Sequence, residues 1–247
     1  MIVVKLTSKI ATSSTCGQAS ILRIVLKVGG FAFATEGESE PLIAEYVKLL
    51  QQLIRDHQFV VVTGGGSIAR EYIRIARGMR VPESLCDQLG ILVSRINARI
   101  VVDGLSDYAY PEIPTTVTEL GRFFASGKVI AMGGLQPGHS TNAVAAIAAE
   151  TIKAHVFVNA TNVDGVYTSD PSKDAHATHF DEVHVNKLSE ILAHSEMTAG
   201  GYDLMDHTAL RIIQRSHIPT VIIDGRNLAN VTKAIHGEKT GTRIVTD

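Results

Sequence analysis

Residues 59–73 read FVVVTGGGSIAREYI. Phe59 through Val62 form an unbroken apolar run, β-branched after the first residue, as in a strand buried on both faces. Three glycines, Gly64 to Gly66, end it. Behind them Ala69, Ile73 and Ala76 recur at spacings of four and three, which predicts a helix over Ile68–Arg77. Strand, glycine turn and helix in direct succession are the unit of a parallel, helix-covered sheet.

The same unit recurs outward in both directions. Upstream, Ile21–Val28 (ILRIVLKV) runs into Gly29-Gly30-Phe31. Downstream, Val129–Met132 is followed by Gly133-Gly134, and His155–Asn159 by the stretch from Thr161 to Tyr167. Thr220–Ile223 and a segment near Arg243–Val245 are further strands. Helical patterns lie between them: Pro41–Asp56, with Leu42, Tyr46, Leu49 and Leu53 on one face, Thr141–Ile152, Asn186–Leu192, Asp206–Ser216 and Asn227–His236. In Glu83–Val101, Leu85, Leu89, Leu92, Ile96 and Ile100 form one stripe, with Pro82 suited to the first helical position. The fold class expected is α/β, a three-layer αβα sandwich with a mainly parallel central sheet.

Composition agrees. The chain has 247 residues, 23 Lys+Arg against 25 Asp+Glu, a formal net charge of −2 and 45% hydrophobic residues. That apolar content excludes a disordered chain, and the charge balance argues against a nucleic-acid binder. Two cysteines, Cys16 and Cys86, make neither a disulfide framework nor a zinc site and fit a reducing cytoplasm. No apolar run approaches the roughly 20 residues of a membrane span. Residues 1–21 read as an N-terminal extension, an edge strand, a contact arm or an upstream start; their apolar runs are too short for a signal peptide. Residues 22–247 read as a single domain, with Gly200-Gly201 as its candidate flexible joint.

Three of the four strand exits carry paired or tripled glycine, which suits phosphate binding. Glycine lets backbone N–H groups approach an anion, and a helix N-terminus adds partial positive charge. Tight turns use glycine without any ligand, so one pair alone decides nothing. Lys27, beside Gly29-Gly30, and Arg70, one turn into the helix after the triplet, are the candidate cations. The other readings are a snorkelling lysine and a solvated helix arginine. Asp87 is either a ribose-hydroxyl acceptor or an N-terminal helix stabiliser. It lies in line with Gly90, Ser94 and Asn97, opposite the leucine stripe. No P-loop pattern, G-x-G-x-x-G after the first strand or H-E-x-x-H occurs, and His176 and His179 sit in DAHATHF, which reads as a surface turn rather than a metal site.

The ordered motifs LKVGG, VVTGGGSIAREYI, CDQLGI, MGGLQPGHST and ATNVDGVYTSDP resemble the amino acid kinase superfamily, and within it the archaeal type of uridylate kinase, over about residues 22–245. The resemblance implies transfer of the γ-phosphoryl group of ATP to UMP with Mg²⁺, in pyrimidine nucleotide synthesis. It also implies a cytoplasmic homohexamer restrained by UTP, with the acceptor in the N-terminal half and ATP in the C-terminal half. Carried over motif by motif, it puts Lys27 and Arg70 in catalysis and Gly30, Phe31 and Gly66 at the ATP phosphates. Thr161, Asn162, Tyr167 and Asp170 fall on the nucleoside side of ATP. Gly65, Asp87 and the loop Leu135, Gln136, Pro137, Gly138, His139, Ser140 and Thr141 fall around UMP. Two positions depart from the pattern: Phe31 stands where many relatives have serine, and Asn142 where many have aspartate. The missing charge implies either that Lys27 is held differently or that another group, such as Asp164, compensates. The rival readings are another small-acceptor kinase on this fold and a non-catalytic nucleotide-binding regulator.

Overall fold

The computed structural model describes residues 21–34, 41–169, 171, 174, 176–194 and 204–246. Residues 1–20, the candidate joint Gly200-Gly201 and Asp170 lie outside the described residues.

In chain order the elements are β1 (Leu22–Val28), α1 (Leu42–Leu53), β2 (His57–Thr63), α2 (Gly66–Gly78), α3 (Glu83–Leu105), α4 (Val117–Phe124), β3 (Ile130–Met132) and α5 (Thr141–Thr151). There follow β4 (Val156–Thr161), β5 (Val166–Tyr167), β6 (His179–Phe180), β7 (Glu182–His184) and α6 (Val185–His194). The last are α7 (His207–Ser216), β8 (Thr220–Asp224), α8 (Leu228–Ile235) and β9 (Thr242–Val245). A short 3-10 turn, Gly30–Phe33, follows β1.

Seven strands form one sheet in the order β3-β2-β1-β4-β8-β9-β7. All neighbours are parallel except β8 and β9. The chain first builds outward from β1 through β2 to β3, then returns to place β4 on the other side of β1. The crevice between β1 and β4 is therefore the topological switch point, where open α/β sheets bind ligands.

Two apolar cores cover the two sheet faces, as period-2 strands require. Val25 faces the core built with α4, α5 and α7. Ile24, Leu26 and Val28 face the other, built with α1, α3 and α8. Lys27 shares its parity with Val25, so it lies on the α5 side. The alanine-rich α5 is buried on nearly every side, which small residues alone allow.

Two expectations change, at Pro82 and at DAHATHF. On α3 the leucine stripe faces away from the core: Leu85, Leu92, Ile96 and Ile100 are 54%, 52%, 60% and 46% exposed. The buried side is the opposite one, carrying Cys86, Ser94, Asn97, Ala98 and Val101. Pro82 is the N-cap of α3, in an extended conformation, and Glu83 is its first residue. DAHATHF is no simple surface turn, because His179 pairs with Tyr167 in the β5–β6 hairpin. Helix α4, unread in the sequence, carries a capping box: Thr116 accepts from the Glu119 amide and Glu119 reaches back. The signal was present as Thr116-Val-Thr-Glu119.

Candidate active site

The exits of β1, β2 and β4 meet in a cleft of about 340 Å³ at the switch point. Its walls include Lys27, Gly30, Phe31, Gly64 to Gly66, Arg70, Asp87, Gly134, His139, Thr141, Thr161 and Asn162. Residues scattered over 136 positions of sequence thus converge on one space. Lys27 is 7% exposed at the floor. Arg70 and Asp87 are exposed at the rim, one on α2 and the other on α3. A helix starting at Gly66 does turn Arg70 toward the cleft.

The first two glycine loops pack backbone against backbone. A Cβ on Gly30 would lie 2.1 Å from Gly66 N and Cα, and Gly66 has φ +66°. No other residue fits either position, and the contact sets the amides at the α2 N-terminus beside the end of β1. The third pair has a different cause. A Cβ on Gly133 would meet Arg95 N and Ser94 Oγ at 2.6 Å, so this pair lets the loop lie against α3.

That loop is stitched to α3 by three side chains, of which the sequence reading left out Arg95. Ser94 Oγ accepts from Gly134 N at 2.8 Å. Arg95 donates to the Gly134 and Leu135 carbonyls at 3.0 and 3.2 Å. Asp87 Oδ2 accepts from Gly138 N at 2.9 Å. Asp87 therefore serves neither of its sequence readings alone; it clamps the loop and still lines the cleft. Gly134, His139 and Thr141 line the cleft, whereas Leu135, Gln136, Pro137, Gly138 and Ser140 do not.

The C-terminal half contributes Thr161 and Asn162 directly. Tyr167 stands outside the lining, with its hydroxyl donating to Asp164 and its ring edge-on to His179. Burial and the Asp164 carboxylate push its phenol pKa up. Asp164 is thus engaged on the hairpin and does not line the cleft, contrary to the reading in which it supplies the substitute charge. Asn142 is 3% exposed and directs its amide nitrogen to the Leu204 carbonyl at 3.5 Å, which Asn159 also meets at 2.8 Å. An aspartate at 142 would have no proton for that carbonyl. Phe31 closes over Gly29 and Gly225, and the Gly225 carbonyl accepts from the buried Tyr46 hydroxyl at 2.7 Å.

Fold and cleft together define an open α/β protein with a glycine-built, cation-floored crevice at its topological switch point. The chain belongs to the amino acid kinase family, which it matches over residues 22–224. It is 41% identical to the uridylate kinase of Methanothermobacter thermautotrophicus over 224 residues, 91% of this chain and 99% of that one. The crystal structure of uridylate kinase from Archaeoglobus fulgidus superposes with a TM-score of 0.80 at 39% identity, covering 90% of this chain and 99% of that one. UMP kinase from Ureaplasma parvum, at 20% identity and a TM-score of 0.76 over 91% of this chain and 99% of its own, shares the fold.

Proposed function

We propose that this chain is a nucleoside monophosphate kinase that moves the γ-phosphoryl group of ATP to UMP, giving UDP and ADP for pyrimidine nucleotide synthesis. The observation that carries the reading is the convergence of Lys27, Arg70 and two interlocked glycine loops on one cleft. The relatives' extensive identity supports UMP as the acceptor.

In this reading Gly30, Phe31 and Gly66 receive the ATP phosphates through backbone amides. Thr161, Asn162, Tyr167 and Asp170 form the nucleoside side of ATP. Gly65, Asp87 and the loop Leu135–Thr141 hold UMP, with Asp87 Oδ1 turned to the ribose while Oδ2 keeps Gly138. The UMP phosphate is already anionic at neutral pH and attacks the γ-phosphorus in line, so no general base is needed. Lys27 and Arg70 neutralise the charge that develops on the transferring group.

Asp87 is the one carboxylate among the described cleft residues, and no group of three metal-ligating side chains is found among the described residues. In this reading Mg²⁺ enters as part of the substrate MgATP.

The same proposal takes residues 22–247 as one catalytic domain with residues 1–21 as its extension. The acceptor lies in the N-terminal half and ATP in the C-terminal half. It places the enzyme in the cytoplasm as a homohexamer restrained by UTP. The exposed apolar face of α2 and α3 supports self-association. Among the described residues no helix is long and apolar enough to cross a membrane.

The test is ADP release from MgATP with UMP, CMP, dUMP, AMP, acetylglutamate and glutamate in parallel, with UTP added to the productive pair. Turnover with UMP is expected. Turnover confined to another acceptor would keep the fold and reassign the loop. ATP binding without turnover would favour a regulatory protein.

A further inference from the structure

Ser140 and Asp206 lie 66 residues apart, one at the start of α5 and the other at the start of α7. Ser140 Oγ accepts from the amides of Asn142 and Ala143, each at 3.1 Å. A hydroxyl has two lone pairs and one proton. With both lone pairs taken, its proton goes to Asp206 Oδ2. The other oxygen of Asp206 accepts from Ala209 N at 2.9 Å and caps α7.

Capping needs one oxygen, and a serine would supply it. Asp206 uses two. Its second oxygen joins the N-termini of two helices that pack on the same face of the sheet. Next to it, Leu204 O is held by Asn159 and Asn142, so the segment before α7 is fixed on β4 and α5 as well. The loop Leu135–Thr141 consequently has two anchors. On one side Asp87 of α3 holds Gly138. On the other, Asp206 of α7 holds Ser140.

We propose that Asp206 is a positioning residue of the phosphoryl-transfer reaction: through Ser140 it fixes the acceptor loop against the C-terminal half and so sets UMP in line with ATP. This rests on the UMP kinase reading. Asp206 touches neither nucleotide in that reading; it acts through the loop. In-line transfer tolerates little misplacement of its partners.

Asp206→Ser separates the two tasks, since it keeps one oxygen for the cap and has none left for Ser140. KM for UMP should rise about tenfold and kcat should fall, while KM for ATP stays within about twofold. Asp206→Asn keeps an oxygen for the cap but turns a donor toward Ser140, and should show the same pattern. In a Ser140→Ala background, Asp206→Ser should add no further kinetic loss. Amide exchange of the full chain without substrates reads the tether separately: Asn142 and Ala143 should exchange faster in Asp206→Ser. A lowered Tm with unchanged kcat and KM values would reduce Asp206 to a helix cap and overturn the proposal. Unchanged exchange at Asn142 and Ala143 would overturn the tether itself. If the wild-type enzyme makes no UDP while exchange does rise in the variant, the tether stands and the acceptor assignment falls.

Discussion

Lys27 occupies the penultimate position of a strand whose other residues are almost all apolar, and at 7% exposure it reaches the floor of the cleft. A buried cation is costly to maintain, and here it lies at the point where several phosphates would meet. Lys27→Met should lower kcat about 100-fold or more, with little change in UMP affinity measured by calorimetry. An unchanged kcat would remove Lys27 from the chemistry. Gly30 is the second decisive residue. Gly30→Ala drives a methyl group into the Gly66 backbone, and should cost roughly 1–3 kcal/mol of stability in denaturant titration together with loss of ATP binding. Asp87 illustrates what spacing could and could not reveal. Its face on α3 was legible, and so was its chemistry as an acceptor. Its bond to Gly138 was not, because a contact across 51 residues depends on how the whole sheet edge assembles.

At the scale of elements, strands were the most legible feature. The six strands read from the sequence follow local apolar content, and the structure extends or trims each by one or two residues at its ends; β5, β6 and β7, two or three residues long, went unread. The helix α3 shows where such reading stops. Periodicity identifies which residues share a face but not what covers that face. The stripe Leu85, Leu92, Ile96, Ile100 is legible as one face, yet the core covers the opposite side, where Ile91, Val101 and Leu105 pack and Ser94 and Asn97 bond to loop backbone. The stripe is left uncovered, with Ile68, Tyr72, Ile75 and Met79 of α2 and the turn beyond it exposed as well. In the proposed homo-oligomer this exposed apolar face is the expected contact between copies of the chain. Leu92→Glu combined with Ile96→Glu should leave the helix intact by circular dichroism and reduce the particle mass measured by light scattering. A mass that stays the same, or a wild-type protein that is already monomeric, would contradict the assignment.

At the scale of the molecule, the strands of both halves share one sheet, and an ion pair of Glu150 with Arg215 links α5 to α7. Glu150 at the end of α5 accepts from Arg215 and Ser216 at the end of α7, and these bonds hold its carboxyl below the usual carboxylate range. Asp224, at the end of β8, is held down likewise by Arg226. The capping carboxylate Glu119 is lowered by the Thr115 and Thr116 donors. All three shifts have the same sign. A carboxyl whose folded pKa lies below its unfolded one stabilises the fold above the unfolded value, and loses that contribution as pH falls through the folded one. Stability should therefore be flat across the neutral range and decline below about pH 5, with no matching loss from these groups on the alkaline side. Denaturant titrations from pH 8 to pH 3 will read this directly. Glu150→Gln should lower stability at neutral pH and make the acid decline shallower, because the group that titrates there has been removed. An acid limb equally steep in the variant would mean that the α5–α7 ion pair contributes nothing to the pH dependence, and would leave the other lowered carboxyls, Asp224 and Glu119 among them, as its source.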